Sequence, residues 1–159
     1  MHIRQARLED VDSLSELAMR SKASHGYDHS FMEACREELR IDQEALAHRD
    51  LWVAETDADG IVGFFGLWPP EDAIAEVDPM FVEPRFHGRG IGRTLWDHLE
   101  QRARDANAIA IRLDADPNAV AFYERMGCVI IGEAPSGSIA GRYLPQMEKA
   151  LAGPQGEAD

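Results

Sequence analysis

The sequence predicts an α/β (α+β) fold, a mixed, mostly antiparallel central sheet of about seven strands with helices on both faces. Three observations predict it. Strand-like and helix-like stretches alternate along the chain. Two apolar runs, residues 51–55 and 61–68, flank a turn tetrapeptide, and a strand, an amphipathic helix and another strand follow one another between residues 74 and 113. A hairpin pairs antiparallel while a strand–helix–strand crossover normally pairs parallel, so one sheet that holds both is mixed.

The elements follow in order. Residues 2–7 read as a short opening strand. From Asp10, the residues Val11, Leu14, Leu17 and Ala18 fall three and four apart, with acids before them and Arg20 and Lys22 after, which suits a helix and its dipole. A polar loop over 24–30 contains Gly26, and helical spacing resumes through Phe31, Cys35 and Leu39. Asp57, Ala58, Asp59 and Gly60 join the two hairpin strands, and Pro69 and Pro70 end the second. Residues 74–82 form a further strand, closed by Pro84. Ile91, Leu95, Leu99, Ala103 and Ala106 mark a long amphipathic helix. Ile109, Ile111 and Leu113 alternate as a strand. Pro117 opens a helix with Ala119, Phe122, Tyr123 and Met126 on one face and Gly127 at its end. Strands over 128–131 and 142–150 complete a single domain over 1–152, and residues 153–159 read as a disordered tail.

The chain has 159 residues, with 16 Lys and Arg against 29 Asp and Glu, a net charge of −13. A domain of this length buries roughly 68 to 70% of its unfolded surface, so its core needs neither disulfides nor a structural metal. Cys35 and Cys128 fit a reducing compartment. No apolar run approaches the ~18 residues of a membrane helix, and early charges replace a signal-peptide core, so a cytoplasmic location is expected. Excess negative charge argues against nucleic acid and anionic membranes as partners and favours a cationic small molecule.

The richest segment is FVEPRFHGRGIGRTL, residues 81–95: a strand, a proline, Gly88, Gly90 and Gly92 at alternate positions, then the long helix. Glycines let a backbone approach a ligand closely, and the free amides of a first helical turn hold anions. Arg85, Arg89 and Arg93 add positive charge in an otherwise acidic protein. A phosphate-bearing ligand is the preferred explanation, and a plain glycine turn with surface arginines is the alternative. The spacing matches neither a P-loop nor a G-x-G-x-x-G fingerprint.

This segment resembles motif A of the GNAT superfamily of acetyl-CoA-dependent N-acetyltransferases, in which backbone amides grip the coenzyme A pyrophosphate. The register that keeps Ile91 and Leu95 on the buried stripe aligns His87, Gly90 and Gly92 with the motif, with His87 where Arg or Gln is usual; Arg85 to Gly90 fits a second register. Independently, Asn118, Ala121, Phe122, Tyr123 and Gly127 are similar to the superfamily's N-x-x-A-x-x-F-Y-x-x-x-G-F segment, with Cys128 for the usual Phe. Two further stretches, residues 21–35 and 135–145, look like segments of some small bacterial members and name no substrate.

The resemblance implies acetyl-CoA as cosubstrate, no metal, and transfer of an acetyl group to a primary amine of a small molecule, amino acid or peptide by direct attack. Cofactor binding then falls to Met80, Phe81 and Val82, whose strand pairs with the pantetheine arm, to His87, Gly88, Arg89, Gly90, Ile91, Gly92 and Arg93, and to Asn118 and Phe122. Tyr123 is the expected acid toward the departing thiolate, a phenol with pKa near 10 being a suitable donor; its alternative is a core aromatic. Glu76 is the expected base, six residues before Val82 and, on a regular strand, on one face with residues 78, 80 and 82. Pro79 interrupts that strand, and a bulge there reverses the parity. Asp78 and ordered water are the substitutes. Acceptor selection falls to His25, Tyr27, Phe31 and Trp68, of which Tyr27 and Trp68 suit an organic cation. His25 and His29 lack a third metal ligand. A homodimer is a family-level expectation. The rival functions are a noncatalytic acyl-CoA-binding module and a nucleotide-binding protein.

Overall fold

Residues 1–151 are described by the computed structural model. Seven strands, β1 (His2–Gln5), β2 (Asp50–Thr56), β3 (Gly60–Leu67), β4 (Ile74–Val82), β5 (Ala110–Asp114), β6 (Val129–Pro135) and β7 (Tyr143–Ala150), form one sheet in the order β1-β2-β3-β4-β5-β7-β6. The helices are α1 (Val11–Ala23), α2 (His29–Leu39), α3 (Gln43–His48), α4 (Ile91–Asp105) and α5 (Val120–Arg125). Every neighbouring pair of strands is antiparallel except β4 and β5, which the α4 crossover makes parallel. The tail expected over 153–159 lies outside the described residues.

Alternation along the strands divides the apolar residues between two cores. On one face, Leu95, Trp96 and Leu99 of α4 pack with Phe65, Val77, Ile111 and Met147. On the other, Leu14 and Leu17 of α1 and Met32 and Cys35 of α2 cover Leu51, Val53 and Phe64. Each of these side chains is nearly excluded from water, at roughly 1.5–3 kcal/mol of apolar stabilisation for each large one.

Three elements depart most from the expectations. Helix α3 escapes the periodicity of the sequence because six residues are too short to show a period; Asp42 starts it, its carboxylate accepting from the Ala45 amide at 3.0 Å. The helix expected from Pro117 divides into a 3-10 turn over Pro117–Ala119 and the short α5. Strand β6 runs four residues past the expected 131 because β7 continues to pair with it across an irregularity between Ile130 and Gly132. At that sheet edge Val129, Ile130 and Ile131 are exposed.

The irregularity that shapes the site is in β4. Phe65 pairs with Met80 and Leu67 with Val77, so Gly66 alone faces Asp78 and Pro79. A Cβ on Gly66 would lie 2.6 Å from the Asp78 carbonyl oxygen, so this bulge requires a glycine opposite it. The extra residue overturns the regular-strand parity: Ala75, Val77, Met80 and Val82 all pack on the α4 side, while Phe81 packs on the α1 side and Glu76 faces away from α4. Glu76 therefore shares no face with residues 80 and 82.

Candidate active site

Strands β4 and β5 pair only from Ile74–Ala110 to Glu76–Arg112, after which they diverge. A cleft of about 560 Å³ opens in that splay. Met80, Phe81 and Val82 form one wall, the loop into α4 lies at one end, and Asn118, Phe122 and Tyr123 form the opposite wall.

The loop is built from conformations that side chains disfavour. Gly88 and Gly90 have φ of +79° and +83°, and Gly90, at the N-cap of α4, provides no capping side chain. The first-turn amides of α4 are thus left to a ligand. Gly92 is glycine for another reason, since a Cβ there would meet Phe122 Cε1 at 2.8 Å; its bare backbone makes room for the ring from α5. His87 lines the cleft with its Nε2 3.0 Å from the Val82 carbonyl oxygen; since a carbonyl only accepts, that nitrogen carries the proton. Ile91 and Arg93 also line the cleft, and Arg125, which sequence reasoning missed, joins them. A cation late on a short helix carries no spacing signal. Arg89 is not on the cleft wall; its guanidinium lies 5.4 Å from the centre of the Phe86 ring, which Arg85 also approaches, at 4.7 Å.

Tyr123 is 7% exposed, packed edge-on to Trp96 and Phe122. Its hydroxyl forms no hydrogen bond among the described residues. Burial, with Cys128 and Asp116 adding to it, pushes its pKa well above the usual tyrosine range, so the proton stays on at neutral pH.

Glu76 lies in a neighbouring pocket, also of about 560 Å³, with Trp68, Glu71, Arg112 and Gln146. Burial raises its pKa, as do the charges of Asp114, Asp78 and Glu71. No hydrogen bond or ion pair holds its carboxylate among the described residues. Asp78, by contrast, accepts from Trp68 Nε1 at 3.1 Å and has Arg49 Nη1 3.8 Å away. Asp114, raised by burial, lines the cleft and links the two pockets electrostatically.

His25 lines the cleft. Tyr27 and Phe31 line neither pocket. They stack at 4.1 Å, and their rings already face the protein's own cations, Lys22 and Arg142. Arg49 likewise sits 4.8 Å from the Trp68 ring centre. His29 opens α2, whereas His25 precedes the left-handed Gly26, so the two share no helix.

The fold and sequence have clear relatives. The profile described as the acetyltransferase (GNAT) family matches residues 12–128. The chain is 33% identical over 140 residues to the peptidyl-lysine N-acetyltransferase YjaB of Salmonella typhimurium, covering 84% of this chain and 87% of that protein. The PaiA N-acetyltransferase of Thermoplasma acidophilum, solved in complex with coenzyme A, superposes with a TM-score of 0.77 at 21% identity, covering 94% and 98% of the two chains. An aminoglycoside 6'-N-acetyltransferase complexed with coenzyme A superposes with a TM-score of 0.69 at 25% identity, covering 97% and 99%.

Proposed function

The chain belongs to the acetyltransferase (GNAT) family, and we propose that it transfers an acetyl group from acetyl-CoA to a primary amine, with a peptide lysine side chain as the acceptor class. The observation that carries the reading is the cleft itself: an uncapped helix start at one end, a strand edge freed by the β4–β5 splay along its length, and a protonated tyrosine in its wall.

Acetyl-CoA supplies the activated thioester when bound. The chain's own groups then have separable roles. The first-turn amides of α4, with Arg93 and Arg125, bind and orient the pyrophosphate. The β4 backbone on the cleft wall accepts the pantetheine arm as an added strand. Tyr123 holds a proton at its hydroxyl for the departing thiolate. Glu76, raised in pKa and without a partner among the described residues, takes the proton from the incoming ammonium, directly or through water. It suits this role better than Asp78, whose carboxylate is occupied. Glu71, Glu76, Asp78 and Asp114 give the acceptor side a negative field that fits a lysine ammonium and disfavours anionic acceptors. The YjaB relative, whose name states peptidyl-lysine transfer, supports the acceptor class.

A thermal-shift titration with coenzyme A, acetyl-CoA and ATP tests the cofactor. Both coenzyme A species should stabilise the protein, by roughly 2.7 kcal/mol at a hundred times the dissociation constant, and ATP should not. Free-thiol release with a lysine peptide then tests the transfer. No shift with either coenzyme A species overturns the reading. A shift without thiol release favours the noncatalytic binding module.

A further inference from the structure

The two sequence stretches that name no substrate, residues 21–35 and 135–145, meet in the fold, and what they meet over is Asp116 and Asn118. Tyr27 of the first stretch donates its hydroxyl proton to Asp116 Oδ2 at 2.9 Å. Arg142 of the second donates from Nη2 to the Tyr27 oxygen at 2.8 Å, and Asn118 Nδ2 donates to the same oxygen at 3.1 Å. A phenol has one proton and two lone pairs, so all three of its hydrogen-bonding positions are filled. Lys22 Nζ, 3.1 Å from Asp116 Oδ2, completes the cluster from the end of α1.

The consequence falls on Asn118. Its Nδ2 is held at both hydrogens, by Tyr27 and by Asp116 Oδ1 at 3.0 Å, and its backbone amide donates to Asp116 Oδ1 at 2.8 Å. Both partners require the amide nitrogen on that side, which settles the orientation of the group. Asn118 lines the coenzyme A cleft, whereas Tyr27 and Arg142 do not. The atom left to the cleft is the carbonyl Oδ1, an acceptor, and the pantetheine arm carries amide N–H donors.

We infer that Tyr27 and Arg142 are positioning residues that fix the Asn118 side chain with its carbonyl toward the cleft, where it accepts a hydrogen bond from a pantetheine amide. The inference rests on the coenzyme A reading of the cleft. It gives the α1–α2 loop and the β6–β7 loop a role in cofactor affinity although neither Tyr27 nor Arg142 lines the cleft.

A double-mutant cycle read by calorimetric titration of coenzyme A tests it. Tyr27→Phe removes the hydroxyl and keeps the ring stacked on Phe31, and it should weaken binding about threefold to tenfold. In an Asn118→Ala background the same change should leave the dissociation constant where Asn118→Ala put it. Arg142→Met should behave as Tyr27→Phe does, while Arg142→Lys, which keeps a cationic donor, should restore at least part of the affinity. In turnover the KM for acetyl-CoA should rise more than kcat falls, a split that a general loss of folded protein does not produce. Equal weakening by Tyr27→Phe in both backgrounds overturns the inference, as does unchanged binding in the single variant. If Tyr27→Phe does not fold, the Arg142→Met cycle decides by the same criteria. Failure of the unaltered protein to bind coenzyme A is a separate outcome that removes the cofactor reading as well.

Discussion

Glu76 and Tyr123 are both shifted upward, and burial is the leading cause in each. For the proposed proton donor, Tyr123, and the proposed proton acceptor, Glu76, this has opposite uses. Tyr123 keeps its proton through the working pH range, so its variant should lose transfer and keep binding: Tyr123→Phe should lower kcat about tenfold or more while the coenzyme A dissociation constant stays unchanged. Glu76 must be ionised to act, and a raised pKa moves its ionisation to higher pH. The acid limb of the kcat/KM profile should therefore lie above the ordinary glutamate value near 4.3, with the rate falling as pH drops through it. Glu76→Gln should lower kcat/KM about a hundredfold and abolish that limb, which an initial-rate series from acid to neutral pH would show.

The bulge in β4 is the element on which the site depends. By inserting a residue opposite Gly66 it sets Glu76 on the opposite face from Met80 and Val82, and by ending the β4–β5 pairing at Glu76 the strands leave room for a ligand. A side chain at Gly66 meets backbone, which has no rotamer to yield, whereas one at Gly92 meets the Phe122 ring. Gly66→Ala should therefore destabilise by about 2 kcal/mol or more, about 4–8 °C in Tm for a chain of this size, and reduce transfer with it. A calorimetric scan beside a transfer assay checks both. Gly92→Ala should be the milder change.

Over the whole molecule, the charge excess is arranged and not merely carried. Arg4 holds Asp10 and Glu55 together where β1 meets β2, and Lys22 and Tyr27 hold Asp116 where four segments converge. Burial raises the Asp116 carboxyl, but its hydrogen bonds from Asn118 and Tyr27 and the charge of Lys22 outweigh that and bring it down to about 2. Asp10 is lowered in the same way: burial opposes, and Arg4 prevails. A carboxyl depressed in the folded state contributes stability above its unfolded pKa near 3.9 and loses it as pH falls through the folded value. Asp116 contributes on the order of 2 kcal/mol by this route. Stability should thus fall steeply between about pH 4 and 2. Asp116→Asn should lower Tm at neutral pH and flatten that fall, as Tm measured across the acid range would show.

Much of this was legible in the chain because local chemistry writes it there. Alternation and three-four spacing come from strand and helix periods, and they placed the sheet and both helical faces; positive φ at residues 88 and 90 needs glycine, and those glycines marked the loop into α4. Contacts distant in sequence left no such trace. Arg142 reaches Tyr27 across 115 positions, Arg125 meets the cleft from a short helix, and the parity of Glu76 turned on whether Pro79 bulged its strand. The family's fold and the glycine loop that opens α4 can both be read from the order of the residues. That Tyr27 and Arg142 bind each other, that Gly92 makes room for a ring, and that Glu76 faces a pocket apart from the cleft emerge only in the folded chain. Hydrogen bonds and packing are satisfied between whichever groups the completed fold brings within reach, and that proximity exists only once the chain has closed.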